Sequence, residues 1–128
     1  MSADAPDFWR AHGLVIASTG EDEAVLEMTC PDSGMSPFGT VHGGTIAMLC
    51  DTALAVAIAR RVSGPDDRIA THQLTISYAA FTGDRVLRCH ARIVSLGRTI
   101  AVAEGEVRDT SDTLVAKALG TFGVRRRG

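Results

Sequence analysis

The residues best suited to chemistry lie in Val41-His42-Gly43-Gly44-Thr45-Ile46-Ala47-Met48-Leu49-Cys50-Asp51-Thr52-Ala53. Gly43 and Gly44 open a run rich in Ala, Leu, Ile and Met. The first backbone N–H groups of a helix lack intrahelical acceptors and sit at the positive end of its dipole, so they suit an anion. Asp51 is the only charged residue in that run. A desolvated carboxylate is costly unless it is paired or put to use. Amide donors and a carboxylate together suit addition to a carbonyl group. The donor must lie within about 3 Å of the developing oxyanion, and the attacking group within about 3–3.5 Å of the carbon. Gly43 and Asp51 are eight residues apart, roughly 12 Å along one helix axis. One helix does not easily bring both to one carbonyl. Two helices related by a two-fold axis can, with Gly43 of one subunit meeting Asp51 of the other. If both residues act in one reaction, two equivalent composite sites per dimer are expected.

The elements that must carry these groups are readable from pattern. From Gly43 to about Arg61 the chain is apolar nearly all round and free of proline, as expected of a helix enclosed by other structure. Gly64-Pro65-Asp66-Asp67 ends it. Phe8, Trp9 and Leu14 suggest a short N-terminal helix and the strand after it. Gly13 to Thr19 and Glu23 to Thr29 read as a hairpin across Gly20-Glu21-Asp22, and Cys30 to Thr40 as a loop. Four more strands are expected at Ile69 to Tyr78, Arg85 to Ser95, Thr99 to Arg108 and Leu114 to Phe122. In the second of these, Leu87, Cys89, Ala91 and Ile93 alternate with Val86, Arg88, His90 and Arg92. Short turns between consecutive strands favour an antiparallel sheet. Ala101, Ala103 and Gly105 share one strand face, and Ala116, Ala118 and Gly120 another, so a helix can lie close to the sheet. The expected architecture is α+β, one long helix packed into a curved antiparallel sheet. With no repeat, linker or low-complexity tract, residues 1–128 are expected to form a single domain.

Composition narrows the function classes. A formal net charge of -2 argues against nucleic acid as the main partner. Basicity is almost all arginine, with Lys117 the only lysine. Arginine suits phosphate contacts, although genome composition can produce the same bias. Cys30, Cys50 and Cys89 form no disulfide framework or zinc knuckle, and a reduced, cytoplasmic setting is the simplest expectation. Met1-Ser2-Ala3-Asp4-Ala5-Pro6 lacks a signal peptide's basic start and apolar run. Thr45 to Ala59 is shorter than the roughly 20 residues that span a bilayer, and no membrane partner is expected. His12, His72 and His90 lack metal-ligand spacing, so no metal is expected.

Structural alternatives stand beside each chemical reading. Asp51 can pair with Arg60 or with Arg92 across an interface. His42 can be a loop histidine bonded to backbone. Gly43 and Gly44 can simply permit close packing. Cys50 adjoins Asp51, but helix neighbours point about 100° apart and no cationic activator is visible, which favours an inert buried thiol. Arg125-Arg126-Arg127 is a solvated tail or a phosphate contact.

His42-Gly43-Gly44, then Leu49, Asp51 and Ala53, resembles the PaaI-like branch of the hotdog-fold thioesterases. The resemblance extends over nearly the whole chain and takes in Thr75-Ile76-Ser77-Tyr78 and the Gly97-Arg98 turn. It implies an acyl-coenzyme A thioesterase, acting on aromatic or medium-chain acyl groups. By that likeness Asp51 is the nucleophile or general base, and the Gly43 N–H stabilises the oxyanion. His42 shapes the hole or positions substrate, with Gly44 beside it, and Thr71 orients the water or the carboxylate. Gly97 and Arg98 lie near the coenzyme's phosphates. Many relatives carry Asn or Gln six residues before the histidine, to bind the thioester carbonyl. Ser36 stands there in this chain and reaches only through a shifted loop or a water. The resemblance implies no cofactor, coenzyme A being part of the substrate. It also implies a homodimer, with homotetramers common among similar proteins. A non-catalytic acyl-coenzyme A-binding protein of the same fold is the alternative. A hotdog dehydratase or hydratase fits less well, since those enzymes resemble a different pattern that pairs histidine with an acidic residue.

Overall fold

A computed structural model describes residues 5–126. Met1 to Asp4 and Arg127 of the basic tail, discussed above, lie outside the described residues. A short helix α1 (Asp7–Ala11) precedes the hairpin β1 (Leu14–Thr19) and β2 (Glu23–Thr29). A 3-10 turn at Asp32–Gly34 lies in the loop before α2 (Gly43–Ala59). Then follow β3 (Arg68–Tyr78), β4 (Val86–Leu96), β5 (Ile100–Asp109) and β6 (Leu114–Arg125). Gly13, expected within the first strand, instead forms the turn before it at φ +69°.

The strands make one sheet in the order β1-β2-β4-β5-β6-β3. Every neighbouring pair is antiparallel. β3 crosses the sheet to pair with β6, so it forms an edge rather than a hairpin with β4. Helix α2 lies against one sheet face and touches β2, β3, β4, β5 and β6. Its Ile46, Leu49, Cys50, Ala53, Leu54, Ala57 and Ile58 are buried. Close approach is possible because the facing positions are small. Ala101, Ala103 and Ala116 are fully buried, and an added Cβ at Gly105 or Gly120 would meet a Leu54 methyl at 3.0 or 2.9 Å.

The enclosure of α2 within the chain is one-sided. Ala47, Met48, Asp51, Thr52, Ala55 and Val56 are only half-buried.

β3 contains the irregularity that matters for the site. Its pairing with β6 shifts between Thr71 and Gln73, leaving His72 as the extra residue of a bulge. Ile69, Leu74 and Ile76 pack on the core. Thr71 therefore shares the helix-facing side with residues of the opposite sequence parity.

Candidate active site

Asp51 sits in the middle of α2, one residue after Cys50, yet their environments differ. Cys50 is fully buried, whereas Asp51 is half-buried on the open side of the helix. Thr71 Oγ1 donates to Asp51 Oδ1 at 2.7 Å, joining helix to edge strand across twenty residues of sequence. Among the described residues Asp51 has no ion-pair partner. Arg92 pairs instead with Glu104. One carboxylate oxygen is thus held by a hydroxyl. Cys50 lies against Cys89, and their hydrogen bond, together with burial, holds the Cys89 thiol well above its ordinary range. Both cysteines face the core and not the Asp51 surface.

The N-terminus of α2 is built by residues from three segments. His42 is the N-cap, and its Nδ1 accepts the Gly44 N–H at 2.8 Å. Acceptance at Nδ1 puts the proton of a neutral ring on Nε2. Gly34 O receives the His42 N–H at 3.0 Å and Thr45 Oγ1 at 2.9 Å, which fastens the preceding loop to the first turn. Tyr78 Oη donates to Gly43 O at 2.6 Å. Burial, followed by the neighbouring Cys50, pushes the Tyr78 phenol above its ordinary pKa, so it stays a donor. Among the described residues no acceptor takes the Gly43 N–H. Gly43 is exposed, so that donor is open to a ligand, whereas the Gly44 N–H is committed to His42.

Ser36 has a different setting. Its Oγ pairs with Thr40 Oγ1 at 2.8 Å and accepts the Phe38 N–H at 3.2 Å. The hydroxyl thus builds its own loop. That loop exposes Phe38 at its tip, and the neighbouring segment exposes Phe81. Val41 N–H donates to Thr82 O at 2.9 Å, tying the two segments together beside the helix start.

Gly97 and Arg98 form the β4–β5 turn, where Gly97 N–H donates to Ile100 O at 2.8 Å. The adjoining Thr99 borders a cleft of about 320 Å³ lined by Arg68, His72, Gly123 and Arg125. Arg68 and Arg125 are direct cross-strand partners. Like charges so placed repel and favour an anion between them. His72 lies across Gly123, where a Cβ would stand 2.4 Å from its Nε2. Thus the β3 bulge aims Thr71 toward Asp51 and His72 into a basic cleft on the other face.

Within the chain, therefore, Asp51 and Thr71 come together, as do His42, Gly43 and Gly44. The Ser36 loop is fastened beside that helix start through Gly34 and the Met35–Val41 bridge, although its hydroxyl is engaged within the loop. The Gly97-Arg98 turn lies at the β4–β5 connection. Tyr78, Gly34, Arg68 and His72 were not singled out for these roles by sequence pattern, whereas Arg125 belongs to the basic run read as a solvated tail or a phosphate contact. Tyr78 carried one usable signal, standing two residues beyond Ile76 on the same apolar parity. Among the described residues no cluster of three or more His, Cys, Asp or Glu could hold a metal, and no helix is long and apolar enough to cross a membrane.

Comparison with known proteins agrees with this architecture. The family model of the thioesterase superfamily matches residues 38–116. The chain belongs to that superfamily, with a hotdog fold, and its class is that of thioester hydrolases. It is 22% identical over 115 residues to the 1,4-dihydroxy-2-naphthoyl-CoA hydrolase of Listeria monocytogenes, covering 90% of this chain and 93% of the relative. Other curated relatives are longer, and the chain spans 54%, 62% and 64% of them. Among solved structures, a conserved Pseudomonas aeruginosa protein superposes with TM-score 0.86 at 30% identity, over 94% of this chain and 95% of that one. A thioesterase from Haemophilus influenzae superposes with TM-score 0.89 at 21% identity, over 98% and 87%.

Proposed function

We propose that this protein is an acyl-coenzyme A thioesterase, formed by residues 1–128 as one domain and acting as a cytoplasmic homodimer on an aromatic or medium-chain acyl thioester. The observation that carries it is a half-buried carboxylate on an apolar helix, held by the Thr71 hydroxyl at 2.7 Å and lacking an ion-pair partner among the described residues. The acyl preference rests on the likeness to PaaI-like enzymes, and the Listeria hydrolase supplies an aromatic acyl-CoA precedent. Three free cysteines accord with a reduced compartment.

In the proposed reaction Asp51 accepts a proton from water while the water oxygen bonds to the thioester carbon. Thr71 keeps the carboxylate aimed. The Gly43 N–H of the partner subunit holds the oxyanion, because Gly43 and Asp51 of one helix are roughly 12 Å apart. Collapse breaks the C–S bond, and the coenzyme A thiolate takes up the proton. Alternatively Asp51 attacks the carbon itself and water then hydrolyses the acyl-enzyme anhydride. Either route consumes one water and yields a free thiol and a carboxylic acid, which releases its proton to solvent as the carboxylate. His42 acts here by capping the helix. The cleft lined by Arg68, His72, Thr99 and Arg125 offers the coenzyme's phosphates a basic surface, and the adjoining Gly97-Arg98 turn extends it. No cofactor is required.

The test is a free-thiol assay across aryl and alkyl acyl-coenzyme A esters, with Asp51→Asn as control. Asp51→Asn should fold as a dimer, bind coenzyme A and lose at least about a hundredfold in kcat. Near-full turnover in that variant would remove Asp51 from the mechanism. The engaged Ser36 hydroxyl favours one rival, a binding protein without turnover. Thermal stabilisation by acyl-coenzyme A with no thiol released from any ester would establish that rival instead.

A further inference from the structure

We infer that Tyr78 is a positioning residue that, together with His42, clamps the Gly43–Gly44 peptide and so aims the Gly43 N–H. The peptide is held at both polar ends. Its N–H, that of Gly44, goes to His42 Nδ1 at 2.8 Å, and its C=O, that of Gly43, accepts from Tyr78 Oη at 2.6 Å. The Tyr78 ring also rests on Gly43, since a Cβ built there would stand 3.6 Å from both Cζ and Oη.

Such a clamp answers a definite weakness. Two consecutive glycines have the greatest backbone freedom of any dipeptide, and the first turn of a helix lacks the intrahelical bonds that would restrain its N–H groups. A donor stabilises a transition state best when its direction is set before the reaction. Fixing the Gly43–Gly44 plane at both ends restrains Gly43 ψ and Gly44 φ. The His42–Gly43 plane, which carries the Gly43 N–H, is held through His42 O by the Thr45 and Ile46 N–H groups at 2.9 and 3.2 Å, so the two planes flanking Gly43 are both fixed. The N–H left without an acceptor is then the one on the residue that Tyr78 covers. Tyr78 stands at the end of β3, whose Thr71 holds Asp51. One edge strand therefore braces both the carboxylate and the amide donor. If sites are shared between subunits, each β3 serves two sites.

This inference rests on the thioesterase reading for its kinetic arm only. Full-length Tyr78→Phe keeps the ring and removes the phenolic donor. Its kcat should fall about five- to tenfold, as expected for one lost hydrogen bond. KM and coenzyme A affinity should change less than twofold. Solvent-exchange NMR should show the Gly44 amide exchanging at least about fivefold faster, beyond any change at the Ala103 and Val107 amides of β5. His42→Ala removes the other arm and should produce the same exchange defect. The double variant should lose less kcat than the product of the two single losses, because both arms hold one peptide. Unchanged kcat with unchanged Gly44 exchange would overturn the clamp, and so would an effect confined to KM. A wild-type protein that hydrolyses no thioester would refute the thioesterase reading, and the exchange measurement would still decide the clamp.

Discussion

Helix α2 carries Asp51, and its distance from the sheet is set by Leu54, one turn further along. Both methyls of Leu54 are pinned between glycines. A Cβ at Gly120 would stand 2.9 Å from Cδ2, and one at Gly105 would stand 3.0 Å from Cδ1. Ordinary carbon–carbon contact is about 3.5–4.0 Å. Leu54 is fully buried. The Phe122 ring is also 3.0 Å from the Gly120 position. Gly120→Ala should therefore overpack the helix–sheet contact at about 1–3 kcal/mol. The loss of unfolded-state entropy offsets about 0.4–1 kcal/mol of that. A net loss of about 1–2 kcal/mol corresponds to a melting temperature lower by about 3–10 °C for a domain of this size. Urea titrations and thermal melts at one fixed protomer concentration measure it. Leu54→Ala alone should cost about 2–5 kcal/mol. In that background Gly120→Ala should be neutral or stabilising, since its methyl then fills the vacated space. Strictly additive losses in the double variant would refute the steric account.

Three further outcomes are expected. Arg98→Ala should raise KM for acyl-coenzyme A about three- to tenfold while kcat stays within twofold, and raised salt should narrow the difference. An unchanged KM would take the β4–β5 turn out of phosphate binding. Asp84 accepts the Thr110 N–H at 2.8 Å, the Thr110 hydroxyl, and the Val86 N–H at 3.1 Å. The Thr110 bonds, foremost, hold its carboxyl below the ordinary 3.8. Its stabilising contribution is therefore present above that value and lost as pH falls through the lower folded-state pKa. Melting temperature should accordingly drop on acidification below about pH 4, and Asp84→Asn should lower it at neutral pH while flattening the acid slope. Identical slopes in the two proteins would contradict this assignment. Gly13 adopts φ +69°, and a Cβ there would stand 2.1 Å from Thr29 O. Gly13→Ala should cost about 2 kcal/mol or more in a urea titration, and a wild-type midpoint would refute it.

Local pattern determined much of this protein. An uninterrupted apolar run ended by Gly64-Pro65 specifies α2, and strict alternation specifies the buried face of β4. The small residues at Ala101, Ala103, Gly105, Ala116, Ala118 and Gly120 foretell the close helix–sheet contact, because those properties depend on nearest neighbours along the chain. Asp51 stood out for the same reason, as a lone charge among apolar residues. Tertiary structure alone decided the rest. Periodicity tells which face a strand buries but not which strand lies beside it, so β3's place beyond β6 was illegible. Uniform alternation through β3 would put Thr71 on the face opposite Leu74 and Ile76. The bulge at His72 reverses that parity and brings the Thr71 hydroxyl to Asp51. Likewise the Tyr78–Gly43 bond spans 35 residues, and Ser36 spends its hydroxyl within its own loop. Such contacts depend on how strands are ordered and bent in space, which no short stretch of chain encodes by itself.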